Sequence, residues 1–202
     1  LEEPPPAVTV QLTYYQLDTQ EKQVHRFDYS PVEIAEFFAD LMERYAVWLR
    51  YERDWKAVRD ASIADTNFPY PAYRKGQREL AVAVYRTVQK ERKRYAQAPT
   101  GIGKTLSTLF PSVKAIGEGL AEKIFYLTAK TITRAVVQEA VSLLSDQGLR
   151  LKSVTLRAKE KICFCDETIC TPFHCDYARG HYDRINEALL DVLQQVDLIT
   201  PE

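Results

Sequence analysis

An eight-residue segment, Ala98–Thr105, constrains the fold of this chain more than any other part of its sequence. It reads Ala-Pro-Thr-Gly-Ile-Gly-Lys-Thr and fits the spacing of a Walker A phosphate-binding loop, except that alanine holds the first glycine position. Such a loop needs a strand before it and a helix N-terminus behind it, so that free backbone amides point at the phosphates. A strand predicted at Tyr95–Ala98 and a helix from Lys104 supply both. A chance glycine-containing turn is the alternative.

The predicted loop gives its residues separate roles towards ATP and Mg²⁺. Lys104 would bridge the β- and γ-phosphates, and the Thr105 hydroxyl would hold Mg²⁺, which makes these two the predicted catalytic residues. Hydrolysis also needs a Walker B carboxylate, and the nearest candidate, Asp197, has no apolar strand before it. The predicted loop contacts with the nucleotide are Thr100, Gly101, Ile102, Gly103, Lys104 and Thr105.

From residue 77 onwards, helical and strand-like segments alternate along the chain. Strands separated by helices of this length imply a parallel sheet with crossover connections, so the predicted fold class is α/β. The predicted segments are a helix from Gln77 to about Arg92, a strand at Tyr95–Ala98, a helix from Lys104 that Pro111 should kink, a strand at Ile124–Thr128, a helix at Thr131–Ser145, a strand at Leu151–Leu156 and a helix at about Tyr182–Gln195.

The N-terminal part has a different pattern, and the sequence predicts a β-hairpin followed by one long helix. Two runs rich in β-branched and aromatic residues, Val8–Asp18 and Lys22–Tyr29, are typical of a hairpin. Ser30 to Glu33 has the pattern of a capping box, so a helix should begin there and continue to about Arg59. We interpret its apolar stripe as core. The predicted linker is Ala61–Pro71, because its prolines cannot continue a helix.

Four short motifs follow one another along the chain, namely Phe68-Pro69-Tyr70, Tyr73-Arg74-Lys75-Gly76-Gln77, Ala98–Thr105 and Phe125-Tyr126-Leu127-Thr128-Ala129-Lys130-Thr131. Their order resembles the opening of a superfamily-two helicase of the XPD and DinG type. More specifically, residues 8–202 resemble bacterial proteins that join a PD-(D/E)xK-type nuclease domain to an XPD-like helicase. The resemblance implies that residues 1–66 are the C-terminal remnant of a nuclease-like domain, and that residues 67–202 are the N-terminal part of a RecA-like helicase domain.

The resemblance also implies roles for residues outside the phosphate loop. Gln77 would be the glutamine whose amide binds the Hoogsteen edge of adenine, with Tyr73 as a stacking neighbour. Thr128, Lys130 and Thr131 would contact the DNA backbone. Without the resemblance, a surface turn after a strand explains these three residues equally well. Eight basic and two acidic side chains between residues 74 and 94 indicate either a solvated helix face or a DNA contact.

Four cysteines, Cys163, Cys165, Cys170 and Cys175, lie in the order C-x-C-x₄-C-x₄-C within a predicted insert at about residues 158–180. Thiols this close together favour metal binding over disulfides. By resemblance to the helicases they would hold a [4Fe–4S] cluster. Zinc bound by three or four of them, with His174 replacing one, is the rival interpretation, and free structural thiols are the third.

We therefore expect the ATP-binding part of an ATP-dependent iron–sulfur DNA helicase. Its partners would be single-stranded or junction DNA and the remainder of a parent helicase that supplies the Walker B motif and a second RecA-like domain. A P-loop ATPase or switch with a structural zinc site is the alternative, and an adaptor role is the third hypothesis. With no run of about 18 apolar residues and no signal peptide, we expect a cytoplasmic protein without a membrane partner.

Overall fold

A computed structural model of the chain describes residues 7–129 and 131–201. The chain divides into two compact units, Leu1–Arg53 and Asp54–Glu202. The division lies inside the first helix and not at the predicted linker. In chain order the elements are β1 Val8–Tyr15, β2 Lys22–Tyr29, α1 Pro31–Asp65, α2 Gln77–Gln89, α3 Lys104–Gly117, α4 Thr131–Ser145, β3 Ser153–Val154, a 3₁₀ turn Lys159–Lys161, α5 His181–Gln195 and β4 Leu198–Ile199.

The predicted hairpin and capping box of the first unit are confirmed. Strands β1 and β2 pair antiparallel, with Val8 opposite Tyr29. The Ser30 backbone amide donates to Glu33 Oε2 at 2.7 Å, and the Glu33 amide donates back to Ser30 Oγ at 3.3 Å. These reciprocal bonds satisfy backbone donors that the first helical turn leaves unpaired, so they fix the start of α1. The Ser30 donors also lower the pKa of the Glu33 carboxyl.

Our interpretation of the apolar stripe of α1 as core is wrong over most of the length of the helix. Phe38 is 60% exposed and Tyr45 is 53% exposed, and the only buried residue of the helix is Ile63. The physical reason is size, because one two-stranded hairpin offers too little surface to cover a helix of 35 residues. Among the described residues, no helix is long and apolar enough to cross a membrane.

Helix α1 is longer than predicted, and the predicted linker is wrong for its first five residues. The helix continues through Ala61 to Asp65. Ile63 is 1% exposed within the core, and Lys114 Nζ donates to the backbone oxygens of Ile63 at 2.6 Å and Ala64 at 3.1 Å. Tertiary contacts therefore extend the helix beyond the point that local sequence indicates, because they satisfy the carbonyls at its end.

The core of the second unit lies where α3 and α4 pack against the end of α1. Ser107 is fully buried with them, and the partly buried Phe68 and Phe110 pack on the outside of the cluster. Helix α3 runs without interruption through the buried Pro111, while the kink predicted there stays a prediction. The core residues are Ile63, Leu106, Leu109, Val113, Ile116, Ala140, Val141, Leu144 and Leu149.

Two of the predicted strands do not form in the structure. Tyr95–Ala98 and Ile124–Thr128 have no strand assignment, and among the described residues no backbone hydrogen bond joins 95–98 or 124–127 to another segment. Tyr95 is 96% exposed and Leu127 is 87% exposed. A parallel strand is stable when neighbouring strands pair with its backbone, and these segments have the sequence of strands without the neighbours.

The third predicted strand, Leu151–Leu156, is reduced to Ser153–Val154, and it pairs with a strand that the sequence did not predict. This partner, Leu198–Ile199, lies parallel to it. The Ser153 amide donates to the Asp197 oxygen at 2.8 Å, and the Thr155 amide donates to the Ile199 oxygen at 2.9 Å. Helix α5 leads into the second strand as a crossover connection. The predicted α/β pattern with parallel pairing is therefore present on a small scale.

Candidate nucleotide-binding site

The phosphate loop of the sequence lies directly before helix α3, as the motif requires. Gly101 and Gly103 both adopt left-handed backbone angles, with φ of 84° and 83°. Gly103 is the residue that caps the N-terminus of α3. Left-handed glycines turn successive backbone amides towards one side, and a helix N-terminus adds a partial positive charge there. A loop of this backbone conformation before a helix N-terminus is the kind that binds anions.

The side chain of Lys104 bends back over its own loop. Its Nζ atom donates to the backbone oxygens of Ala98 at 3.1 Å and Pro99 at 2.9 Å. Lys104 is exposed, and the half-buried Thr105 follows it in the first turn of α3. The ammonium group thus lies across the segment that would surround a triphosphate, within reach of an oxyanion placed there.

Two residues at the start of α2 also hold the loop, namely Arg74 just before the helix and Gln77 as its first residue. Arg74 Nη1 donates to the Gly101 oxygen at 2.6 Å. Gln77 is buried, and its Nε2 donates to the Gly103 oxygen at 3.4 Å while its Oε1 accepts from the Arg74 amide at 2.9 Å. Ser107 Oγ also donates to the Gly103 oxygen, at 2.9 Å. The carbonyls of both glycines are therefore fixed by side chains.

Tyr73, the predicted stacking neighbour of adenine, lies in an aromatic cluster. Its ring stacks on Phe68 with centroids 3.9 Å apart, and Phe68 meets Phe110 edge to face at 5.6 Å. Phe110 belongs to α3, so the cluster joins the Phe68-Pro69-Tyr70 motif to the helix behind the phosphate loop. Tyr73 itself is half-buried. Its role beside adenine stays a prediction.

The predicted DNA contacts follow the irregular segment 124–128. Tyr126 lies along α3, with its hydroxyl 3.4 Å from Thr108 Oγ1. Thr128 is half-buried and lines a cleft of about 640 Å³. Lys130 and the side chain of Thr131 lie outside the described residues, although Thr131 begins α4. The DNA role of these three residues therefore stays a prediction.

The four cysteines lie in a segment of turns between the 3₁₀ turn and α5. Cys165 Sγ and Cys175 Sγ are 4.0 Å apart. The hydrogen bond with Cys175 raises the pKa of Cys165 to about 11. Backbone amides of Ala178 and Tyr177 at its sulfur lower the pKa of Cys175. The structure therefore brings Cys165 into hydrogen-bonding contact with Cys175 and also with Cys163.

The remaining members of the predicted metal site lie around this pair. Cys163 is beside Cys165, and Lys159 is beside Cys170. The Nδ1 atom of His174 lies 2.8 Å from Thr171 Oγ1. Among the described residues, no three histidine, cysteine or acidic side chains are placed to hold one metal ion. The donor chemistry suits a metal, whereas the thiols lie in contact around Cys165 without converging on one point.

Asp197, the nearest candidate for a Walker B carboxylate, is held by two basic side chains. It accepts from Arg150 Nε at 2.5 Å and from Lys152 Nζ at 2.6 Å. Burial alone would raise the pKa of Asp197, but the hydrogen bonds from Arg150 and Lys152 outweigh burial and lower it. Lys152 Nζ also lies 4.1 Å from the centroid of the Trp55 ring. The carboxylate thus anchors β3 beside β4.

Sequence reasoning missed Arg74 and Ser107 as parts of the site. Arg74 lies inside the motif Tyr73-Arg74-Lys75-Gly76-Gln77, three residues before Gln77, and a guanidinium with five N–H donors in that motif was the usable signal. Ser107 follows Gly103 by four residues, which is the spacing at which a helical serine bonds back to a carbonyl. Both act on backbone oxygens of the loop.

Comparison with known proteins supports a helicase relationship at a general level. The chain is 39% identical over 46 residues to a protein of Methanocaldococcus jannaschii described as a probable ATP-dependent helicase. The matched stretch is 23% of this chain and 7% of that protein, so the chain spans a small part of its relative. No protein-family model matches the chain. No solved structure matches it either.

Proposed function

We propose that this chain is the ATP-binding part of an ATP-dependent DNA helicase. The observation that carries the proposal is the loop before α3, where two left-handed glycines lead into a helix N-terminus and Lys104 bends back over the same loop. The partial similarity to an ATP-dependent helicase agrees with it. A triphosphate would bind the amides of Gly101 to Thr105, with Lys104 at the far phosphates and Thr105 on Mg²⁺.

Nucleotide binding is tested by calorimetry with Mg·ATP. Lys104→Ala should weaken binding by at least tenfold, because charge-assisted hydrogen bonds contribute about 1.5–3 kcal/mol each. The matched control is Lys56→Ala, which removes an exposed lysine from helix α1. Equal affinities for ATP in the wild type and Lys104→Ala would contradict the proposal. We expect little hydrolysis by the chain alone, since no Walker B carboxylate is evident in its sequence.

DNA would bind through the basic residues that precede the loop. Arg78, Arg86, Lys90, Arg92 and Lys93 are exposed, and no ion pair joins them to the part of the chain that the structure describes. Unpaired cations on one exposed stretch are available to phosphates. Single-strand binding should weaken with salt, and replacing two of these residues by alanine should flatten the slope of log K against log salt by about 1.4. An unchanged slope would mean that these basic side chains face solvent and do not contact DNA.

The four cysteines would hold a metal centre, and a [4Fe–4S] cluster is the first candidate. Cys163, Cys165, Cys170 and Cys175 would be its ligands, and such a cluster supplies redox-active iron bound by four thiolates. Anaerobically purified protein should be brown with broad visible absorption, and each Cys→Ser variant should abolish the colour. Stoichiometric zinc without iron would overturn the cluster.

The pair of close thiols also favours a second candidate, a P-loop ATPase or switch with a structural zinc site. Two thiolates on one tetrahedral zinc ion would be about 3.8 Å apart, given Zn–S bonds of about 2.3 Å, and the observed separation of Cys165 and Cys175 is 4.0 Å. The two candidates are distinguished by measuring ATP hydrolysis with and without DNA, using the longest natural polypeptide that contains this chain. A helicase hydrolyses faster with DNA, whereas a switch does not respond.

A further inference from the structure

Cys165 and Cys175 form a close thiol pair within the cysteine segment, residues 163–175. Their Sγ atoms are 4.0 Å apart and in hydrogen-bonding contact. The sulfurs of a disulfide are about 2.05 Å apart, so these two atoms must approach by about 2 Å to form one. A change of side-chain rotamer moves a cysteine sulfur over such a distance. The pair is therefore within reach of a covalent bond.

The chain around the pair can accommodate this approach. The structure describes residues 163–180 as turns, without a helix or strand. Phe164, which precedes Cys165, is 85% exposed, and Phe173, which lies two residues before Cys175, is 90% exposed. A segment with so few buried contacts shifts at a low cost in free energy.

The other two cysteines are less well placed to form such a bond. Cys163 also contacts Cys165, but a single residue separates them, and a disulfide across one residue closes a small, strained ring. Cys170 is exposed and lies beside Lys159. The geometry therefore favours a bond between Cys165 and Cys175.

Both sulfurs also belong to the predicted ligand set of the metal centre, so a disulfide and a metal ion would compete for the same atoms. Cysteine binds metals as the thiolate, and a sulfur in a disulfide is no longer a thiolate. We propose that Cys165 and Cys175 form a reversible disulfide in the metal-free chain, and that this bond blocks metal uptake until it is reduced. The block on uptake rests on the proposed metal centre, whereas the disulfide itself does not.

The oxidant is a peroxide, which is small enough to reach Cys175, a residue that is 8% exposed. One sulfur of the pair attacks a peroxide oxygen, the O–O bond breaks, and a sulfenic acid and water form. The other sulfur then attacks the sulfenic sulfur, so that the S–S bond forms, the S–O bond breaks and a second water leaves with the thiol proton. Two thiols are oxidised and one peroxide is reduced. A small thiol such as dithiothreitol reverses the step by thiol–disulfide exchange.

The test uses the full chain, prepared without metal under a reductant and then treated with a small excess of hydrogen peroxide. The wild type should lose about 2 Da, the mass of two thiol hydrogens, and peptide mapping should find Cys165 joined to Cys175. Cys165→Ser and Cys175→Ser should keep their mass. Cys170→Ser is the matched control and should lose the same mass as the wild type. A wild type that keeps its thiols, or a bond between any other pair, overturns the proposal.

Zinc binding to the oxidised and reduced wild type measures the consequence for metal uptake. The oxidised chain should bind zinc at least about tenfold more weakly, because the loss of even an outer-shell partner of a metal site costs about 10–100-fold in affinity. Dithiothreitol should restore the affinity of the reduced chain. Equal affinities in a chain that carries the disulfide overturn the block on uptake. A reduced chain that binds neither zinc nor iron overturns the proposed metal centre and leaves the disulfide intact.

Discussion

The phosphate loop and the cysteine segment are both expected to bind a ligand, yet their structures differ in how far the protein itself fixes them. In the loop, the carbonyls of Gly101 and Gly103 are bound by Arg74 and Gln77. In the cysteine segment, two thiols meet at 4.0 Å, and Phe164 beside them is 85% exposed. Packing and hydrogen bonds shape the first site. The second has the side chains of a metal site, and we expect a bound metal to order it.

The largest expected effect breaks the packing on which the loop depends. Leu144→Ala removes a fully buried side chain from the core that contains α3 and should lower the free energy of unfolding by about 2–5 kcal/mol. Urea unfolding followed by circular dichroism measures the change. Leu189→Ala in α5, where the leucine is 44% exposed, is the control and should change stability much less. Equal losses would mean that Leu144 contributes no more to stability than an exposed leucine does.

The next effect compares the two glycines of the loop. Both have the same left-handed φ, but an added β-carbon meets Gln77 at Gly103 and open space at Gly101. Gly101→Ala should cost about 1–2 kcal/mol through backbone strain alone, and Gly103→Ala should cost more and weaken Mg·ATP binding further. Thermal melts and calorimetry measure both. Equal destabilisation at the two positions would mean that the contact between Gln77 and Gly103 does not constrain the loop.

Asp197→Asn tests a part of the second unit that binds no predicted ligand. It should destabilise the protein by about 1–2 kcal/mol at neutral pH, because Arg150 and Lys152 lose a charged partner. The pKa of Asp197 is lowered in the folded state from an ordinary value of 3.8. Its stabilisation is therefore present above that value and is lost as pH falls through the lower folded value.

Urea unfolding between pH 7 and pH 2.5 measures this dependence. The difference between wild type and Asp197→Asn should shrink towards zero at the acid end. Asp191→Asn, an exposed acid in α5, is the control and should show little difference at any pH. A constant penalty across the pH range would show that the ion pairs are not its cause.

The smallest effect on the metal-free chain concerns the cysteines. Cys165→Ser should change its stability by less than about 0.5 kcal/mol, because the half-buried thiol loses one weak sulfur contact. Removing metal from the loaded wild type with a chelator should lower its melting temperature, while the variant should not respond to the chelator. Melts with and without chelator measure this contrast. A large loss in the metal-free variant would show that the segment is ordered by its own packing.

Local sequence predicted the elements that local interactions determine. The Ser30 to Glu33 capping box marks the start of α1, and the loop that ends at Gly103 marks the start of α3. Strands were predicted less well, because a strand needs a partner that lies far away in sequence. Ser153–Val154 has such a partner in Leu198–Ile199 and forms a pair, whereas Tyr95–Ala98 has none among the described residues.

The candidate site was predicted in its composition but not in its internal contacts. The motif placed Lys104 and the two glycines correctly relative to a helix. It could not show that Gln77 is turned inwards, because burial depends on how α2 and α3 pack. Convergence of the cysteines was equally beyond the sequence, since the C-x-C-x₄-C-x₄-C spacing leaves the turns between them undetermined.

The two hydrogen bonds that Lys104 makes to Ala98 and Pro99 affect which anions the loop can retain. Because the Lys104 ammonium already donates to two carbonyl oxygens, an anion that binds Lys104 must replace both of these partners. Chloride offers a single atom to the surrounding amides, whereas a chain of three phosphates offers many oxygens. We therefore expect the loop to favour a triphosphate over chloride, because only the triphosphate can replace both carbonyl partners of the lysine and bind the amides as well.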